Sequence, residues 1–395
     1  MLEPDRTLGI YLHVPFCERV CPYCDFAVVA APRLAPADEA RYVAALLAEL
    51  EGRAPDFTGL ALDTVYFGGG TPALLAPDSI GRLLDAVRKA FPGTPREVTL
   101  EANPSTLEQG RLAAFRAAGV DRLSLGVQSF DDETLRRLGR AHRARESERA
   151  LATAREAGFR NLSLDLIVGA PEQSLAGVER DLAAALTASP AHVSVYALTL
   201  EPETPFARAA AAGKLRVPDD DRVADMLLAA EQRLGGAGLL RYEVSSHARP
   251  GMEAIHNQRY WRRRPVLGLG VGAHSTEPRS AEAPFGARSA NERALAAWLA
   301  RIEAGRTEPP VREVPDAATA RGEAAFLALR TREGLAADGF AAEFGAKPRH
   351  FFAAAIDEGV GEGLLEERAN GDLAPSRRGF AFADLLAARF ITPPS

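Results

Sequence analysis

Short apolar runs alternate with longer amphipathic stretches through the first half of the chain. Runs at Leu8–Val14, Asp63–Phe67, Glu97–Glu101, Arg122–Gly126, Asn161–Val168 and His192–Leu198 are nearly continuous in apolar, β-forming residues. Strands covered on both faces look like this. Helical periodicity marks roughly 37–52, 78–91, 107–118, 132–157 (broken near Arg140) and 175–188 between them. A strand that returns after a helical crossover pairs in parallel with its predecessor. Six such units predict an α/β fold on a parallel sheet, open or curled toward a barrel.

The pattern changes past residue 200. A helix near 219–235 leads to Tyr242-Glu243-Val244, then to His256-Asn257-Gln258-Arg259-Tyr260-Trp261 and the glycine-rich Leu267–His274. Pro309, Pro310 and Pro315 read as a linker. Helices near 317–330, 336–344 and 347–358 follow, then a hairpin turning at Asn370-Gly371 and a last helix at 378–390. The chain therefore divides as 1–200, 201–308 and 309–395, the last an α+β module of winged-helix character.

Composition narrows the function. A net charge of −6 over 395 residues argues against a nucleic-acid binder, which shows a basic face. Arg262-Arg263-Arg264 is a local exception, readable as a solvated face or as a steering patch for acidic groups. Apolar runs fall well short of the ~20 residues of a membrane span, so no transmembrane segment is expected. Ile10–Phe16 is too short for a signal peptide. These features predict a cytoplasmic protein.

Chemistry in parallel sheets gathers at the carboxyl ends of the strands. There stand Gly68-Gly69-Gly70-Thr71-Pro72, Glu101-Ala102-Asn103-Pro104, Gly126-Val127-Gln128-Ser129, Asp165 and, after the first strand, the chain's only three cysteines. Their spacing, Cys17-x3-Cys21-x2-Cys24, lets one loop wrap an iron–sulfur cluster. A 4Fe–4S cluster held by three thiolates keeps one iron open, and the amine and carboxylate of S-adenosylmethionine suit it. The competing reading is a structural zinc site with His13 as fourth ligand.

Tyr11–Cys17 followed by Cys21-Pro22-Tyr23-Cys24-Asp25-Phe26 resembles the radical SAM superfamily, and within it the coproporphyrinogen dehydrogenase-like branch. The resemblance implies a partial (β/α)6, TIM-like barrel with a C-terminal module. It also implies S-adenosylmethionine contacts at Tyr11, Tyr23, Gly69, Gly70, Thr71, Glu101, Gln128, Arg140 and Asp165. Each has a plainer local reading as strand-end, turn or surface residue, and His142 is evenly placed between surface and site.

Within that branch two behaviours compete. Oxygen-independent coproporphyrinogen III oxidases usually carry a fourth cysteine two residues past the third ligand, where this chain has Phe26, and a longer segment before the motif. His256-Asn257-x-x-Tyr260-Trp261 is similar to a signature of the HemW family of heme chaperones. That resemblance implies heme binding with His256 as axial ligand, although His256 also reads as a packed interface residue. His247 and His274 are weaker candidates, and His274 could instead approach the cofactor site. The implied partners are heme, recipient hemoproteins, membrane respiratory enzymes among them, and a second copy of the chain in a homodimer. Oxidase activity is not expected.

Overall fold

The computed structural model describes residues 6–104 and 111–391. Six strands follow the predicted order: β1 (Thr7–Val14), β2 (Ala61–Gly69), β3 (Glu97–Ala102), β4 (Arg122–Gln128), β5 (Asn161–Val168) and β6 (His192–Ala197). Later segments extend the sheet: β7 (Leu240–Arg241), β8 (Ser246–Ala248), β9 (Val266–Leu269), β10 (His274–Glu277), β11 (Ala287–Ala290) and β12 (Val311–Glu313). The spatial order is β12-β11-β10-β9-β1-β2-β3-β4-β5-β6-β8-β7. Strands β9 and β1 to β6 are parallel, and both flanks are antiparallel. The glycine-rich segment thus supplies a seventh parallel strand against β1, and the proline-rich linker contributes β12.

Alternation along β1 sorts its two faces. Leu8, Ile10, Leu12 and Val14 are wholly buried in the main core with Val43 and Leu46 of the helix Pro36–Arg53 and Leu83 and Leu84 of the helix Pro77–Ala90. Each such side chain contributes roughly 1.5–3 kcal/mol. Gly9, Tyr11 and His13 point the other way, into the concavity. The helix expected over 107–118 begins outside the described residues, and its described part is Leu112–Ala118.

The expected break near Arg140 is real. Asp132–Arg137 ends one helix and Ala144–Glu156 starts the next. Gly139 between them has φ +70°, and a Cβ there would stand 2.6 Å from Pro22 Cδ. Only glycine accepts both constraints without strain, so Arg140 is brought against the cysteine loop.

The C-terminal module has its own core, including Leu329, Phe340, Phe352, Ile356, Leu373 and Phe390. Leu365–Glu367 and Leu373–Pro375 form the expected hairpin. The last predicted helix is two, Arg377–Ala381 and Ala383–Ala388, broken at Phe382. Arg262 lies on a solvated face, as one reading had it, and there pairs with exposed Glu333 at 2.8 Å; Arg263 is largely buried and pins this module to the sheet extension through Glu343 at 2.8 Å.

The concavity is closed at the amino ends of its strands by the helix Ile255–Trp261. Backbone N–H groups of Ile255 and His256 donate to Glu97 at 2.9 and 3.0 Å. Buried Arg259 pairs with Asp63 at 2.6 Å and donates to the Pro265 carbonyl at 2.9 Å. This helix is the floor of the barrel.

Candidate functional site

The cysteine loop leaves the carboxyl end of β1. A two-residue parallel pairing of Phe16–Cys17 with Val29–Ala30 ties its ends. Cys17, Cys21 and Cys24 are free thiols, half-buried. Gly70 packs directly against Cys17, since a Cβ there would lie 2.7 Å from the Phe16 carbonyl oxygen and 2.9 Å from Cys17 Sγ. Arg140 Nη1 lies 3.4 Å from Cys21 Sγ, and Thr71 Oγ1 lies 3.8 Å from Cys17 Sγ. Burial pushes Cys17 up to about 11 and raises Cys24, so a metal must displace their protons.

The zinc alternative loses its fourth ligand. His13 Nδ1 bonds Tyr11 Oη at 3.0 Å and Nε2 bonds the Ala27 carbonyl at 3.0 Å. Burial lowers its pKa to about 4. Among the described residues, no three His, Cys, Asp or Glu groups are placed to hold a single ion. An iron–sulfur cube presents separate irons to separate thiolates, so it does not require convergence on one point.

Beside the loop, β2 and β3 build a polar cradle. Tyr66 Oη donates to Glu101 Oε1 at 2.6 Å, and the Gly69 N–H donates to Oε2 at 3.1 Å. Burial pushes Glu101 up to about 7 against those two hydrogen bonds. Gly69 has φ +112°, and a Cβ there would strike the His13 ring. Tyr11 packs on Tyr66 with ring centres 6.0 Å apart.

A second group joins β2, β3, β4 and the broken helix. Asn103 Nδ2 donates to Thr71 Oγ1 at 2.8 Å, while its Oδ1 accepts from Arg140. Arg140 also donates to the Gly126 carbonyl at 3.1 Å. Gln128 takes the left-handed φ of +66°, unusual for a residue with a side chain. Its Oε1 and the Nε of Arg140 are buried without partners. An orphaned buried polar atom costs about 1–3 kcal/mol, so these two atoms are open hydrogen-bonding positions of the cradle. Asp165, one strand further, accepts from Ser124 at 3.3 Å. Tyr23 lies in the cysteine loop, 6.1 Å ring to ring from Phe206.

The predicted residues therefore converge in two clusters around the glycine run, with Asp165 further along the same face. Three participants were not singled out from sequence. Asn103 was visible as a strand-end polar residue. Tyr66 and Ser124 lay inside strand patterns that carried no signal of their role.

His256 differs from expectation. Heme ligation needs a free ring nitrogen, and this side chain is 0% exposed. Nδ1 bonds Thr64 Oγ1 at 2.8 Å, and Nε2 bonds Tyr260 Oη at 3.2 Å. Burial lowers its pKa to about 3. The imidazole is part of the barrel floor, matching the packed reading. His142 is likewise buried, bonded to the Val127 carbonyl at 3.1 Å.

Sequence and structure comparisons agree with this architecture. The radical SAM superfamily model matches residues 11–185, and the HemN C-terminal domain model matches 316–382. The heme chaperone HemW of Escherichia coli K12 is 42% identical over 268 residues, covering 68% of this chain and 69% of that protein. The HemW of Bacillus subtilis 168 is 33% identical over 360 residues, covering 90% and 92%. Among solved structures, E. coli coproporphyrinogen III oxidase (HemN), a radical SAM enzyme, superposes with a TM-score of 0.82 at 24% identity, over 99% of this chain and 91% of that one. That last likeness is one of fold: a central parallel sheet with a C-terminal module. No helix of the described residues is long and apolar enough to cross a membrane. With the radical SAM match spanning the cysteine loop and HemW relatives aligned along most of both chains, the chain belongs to the heme chaperone HemW family of the radical SAM superfamily.

Proposed function

We propose that this chain is a cytoplasmic heme chaperone that carries a 4Fe–4S cluster and S-adenosylmethionine and passes heme to recipient hemoproteins, respiratory membrane enzymes among them. One arrangement carries the cofactor part of this reading. Glu101 is pinned by Tyr66 and Gly69 beside three free thiols, with unpaired polar atoms of Gln128 and Arg140 nearby. Membership of the HemW family supports the heme part.

These residues fit the groups that the superfamily implies. Cys17, Cys21 and Cys24 would ligate three irons. Glu101 and the Gly69–Gly70–Thr71 backbone suit an ammonium, Arg140 a carboxylate, and Gln128 and Asp165 the hydroxyl and ring edges of a nucleoside. Tyr11 and Tyr23 would bound the site with ring surface. When bound, cluster and S-adenosylmethionine together supply one-electron chemistry at the sulfonium. The chain positions the ligand, and burial keeps Glu101 able to hold or release a proton near neutrality. A second copy of the chain completes the proposed partners as a homodimer.

Anaerobically reconstituted protein tests this reading in two assays on one sample. Hemin titration should give stoichiometric binding, and transfer to an apo-hemoprotein should follow. Coproporphyrinogen III with S-adenosylmethionine and a reductant should give no protoporphyrinogen. Robust product formation would instead establish the oxidase reading, and an absence of saturable heme binding would end the chaperone reading.

A further inference from the structure

Strand β4 loses register with its neighbour just before it ends. Its pairing with β5 runs from Arg122 to Leu125, is interrupted, and resumes at Gln128. Inside that gap two consecutive carbonyls accept from side chains. Gly126 accepts from Arg140 at 3.1 Å, and Val127 accepts from His142 Nε2 at 3.1 Å. Both donors belong to the segment that follows the hinge at Gly139, so one stretch of chain is laced to the end of the strand.

The backbone turns at the same place. Gln128 has φ +66°, and the Ser129 N–H closes back on the Val127 carbonyl at 2.8 Å. A hydrogen bond from i+2 to i around a positive φ is the rare, strained form of the γ-turn. Such a conformation persists in a residue with a side chain only where its surroundings over-determine it.

Here they do so from two sides. His142 is buried and holds the Val127 carbonyl. Burial, and after it the Arg140 charge, lowers its pKa to about 4. The ring is therefore neutral near pH 7, and because a carbonyl only accepts, its one proton is on Nε2. Asp181, buried in the helix Leu175–Thr187, holds the other side. Its Oδ2 accepts from Ser129 Oγ at 2.7 Å, and its Oδ1 accepts from the Phe130 N–H at 2.7 Å.

The clamped turn carries Gln128 to the cradle. A Cβ on Gly126 would stand 2.9 Å from Asn103 Oδ1, 3.0 Å from Gln128 Nε2 and 3.4 Å from Arg140 Nη2. Three polar groups thus meet over a position that has no side chain, and Gln128 brings its unpartnered Oε1 with it. A side chain already held in its binding geometry loses less freedom when a ligand arrives.

We propose that His142 and Asp181 are positioning residues, which hold the strained turn from either side and so fix the Gln128 carboxamide for S-adenosylmethionine. This rests on the cofactor reading above and extends it to two residues that act through Gln128. Releasing either clamp lets Gln128 relax toward negative φ and carries its carboxamide away from Gly126.

The test is calorimetric titration of S-adenosylmethionine into anaerobically reconstituted protein, with iron and sulfide content and chemical denaturation measured on each sample. Parent, His142→Ala, His142→Gln, Asp181→Asn, Gln128→Ala and the double variant of His142→Ala with Gln128→Ala are compared. Leu151→Ala, a core truncation in the helix Ala144–Glu156, controls for lost stability alone. His142→Ala should bind about tenfold more weakly at parental iron content. His142→Gln, whose amide can again donate to the Val127 carbonyl, should regain most of the loss. The double variant should bind no more weakly than Gln128→Ala, since the clamp has nothing to act on once the carboxamide is gone. If His142→Ala fails to fold, Asp181→Asn, which offers one acceptor oxygen to two donors, carries the same comparison with Gln128→Ala. Parental affinity in the clamp variant, losses that multiply in the double variant, or an equal loss in Leu151→Ala would each overturn the inference while leaving the cofactor reading intact. A parent with a full cluster that binds no S-adenosylmethionine would overturn both.

Discussion

His256 and Thr64 are joined by a 2.8 Å hydrogen bond between Nδ1 and Oγ1, wholly inside the protein. Removing the imidazole leaves a cavity and strands both Thr64 and Tyr260. His256→Ala should therefore destabilise the fold by about 2–4 kcal/mol. Chemical denaturation with unchanged slope checks this. A variant as stable as the parent would remove His256 from the floor.

Glu101 should tie ligand affinity to pH. Burial raises its folded pKa to about 7, above the model-peptide carboxylate value near 4.3. The folded state therefore holds a proton that the unfolded state has released between those values. Its contribution to stability is full at low pH and is lost as pH rises through 7. Affinity for the ligand ammonium should move oppositely, tightening over the same rise. Tyr66, Tyr11, Asp165 and Arg122 face or influence this group and stay in place in Glu101→Gln. The difference between parent and Glu101→Gln, in both melting and S-adenosylmethionine titrations from pH 5.5 to 8, isolates the effect. Parallel profiles for the two proteins would refute it.

Asn103 acts by holding others. It bridges Thr71 and Arg140, and its loss frees both side chains. Asn103→Ala should weaken S-adenosylmethionine binding about tenfold, or ~1.4 kcal/mol, with cluster iron content unchanged. Calorimetry alongside iron and sulfide analysis separates the two quantities.

Gly70 sets how closely β2 approaches the thiols. Gly70→Ala puts a methyl group 2.9 Å from Cys17 Sγ, so reconstituted protein should lose most of its iron and sulfide. Gly81→Ala is the control. Its site in the helix Pro77–Ala90 meets nothing nearer than Ala118 Cβ at 3.9 Å, and it should gain about 0.5–1 kcal/mol of stability. Equal iron in the two variants would contradict this account of the loop.

The six barrel strands were legible because each is buried on both faces and so reads as a continuous apolar run. The helix break at Arg140 was legible for a local reason too, a glycine at its hinge. Strand β9 was not, since four residues, Val266–Leu269, at the start of a glycine-rich run are too short to carry a periodic signal, and only pairing with β1 makes them a strand. His256 shows the harder limit. A histidine between aromatics serves a porphyrin or a packed floor equally well. What decides is Thr64 and Glu97, more than 150 positions away in the chain. Asn103 was legible as a polar strand end, but its partnership with Arg140 depends on the fold that brings 103 to 140.

The floor helix also governs how the protein is made. Strand β1 emerges first, yet one of its neighbours is β9, and the amino ends of β1 and β2 are sealed by Arg259. A nascent chain halted after β6 would expose an unpaired β1 edge and an unsealed polar interior. Translation must therefore proceed past Leu269 before β1 is paired on both edges, and until then the emerging half-barrel keeps that edge open to solvent.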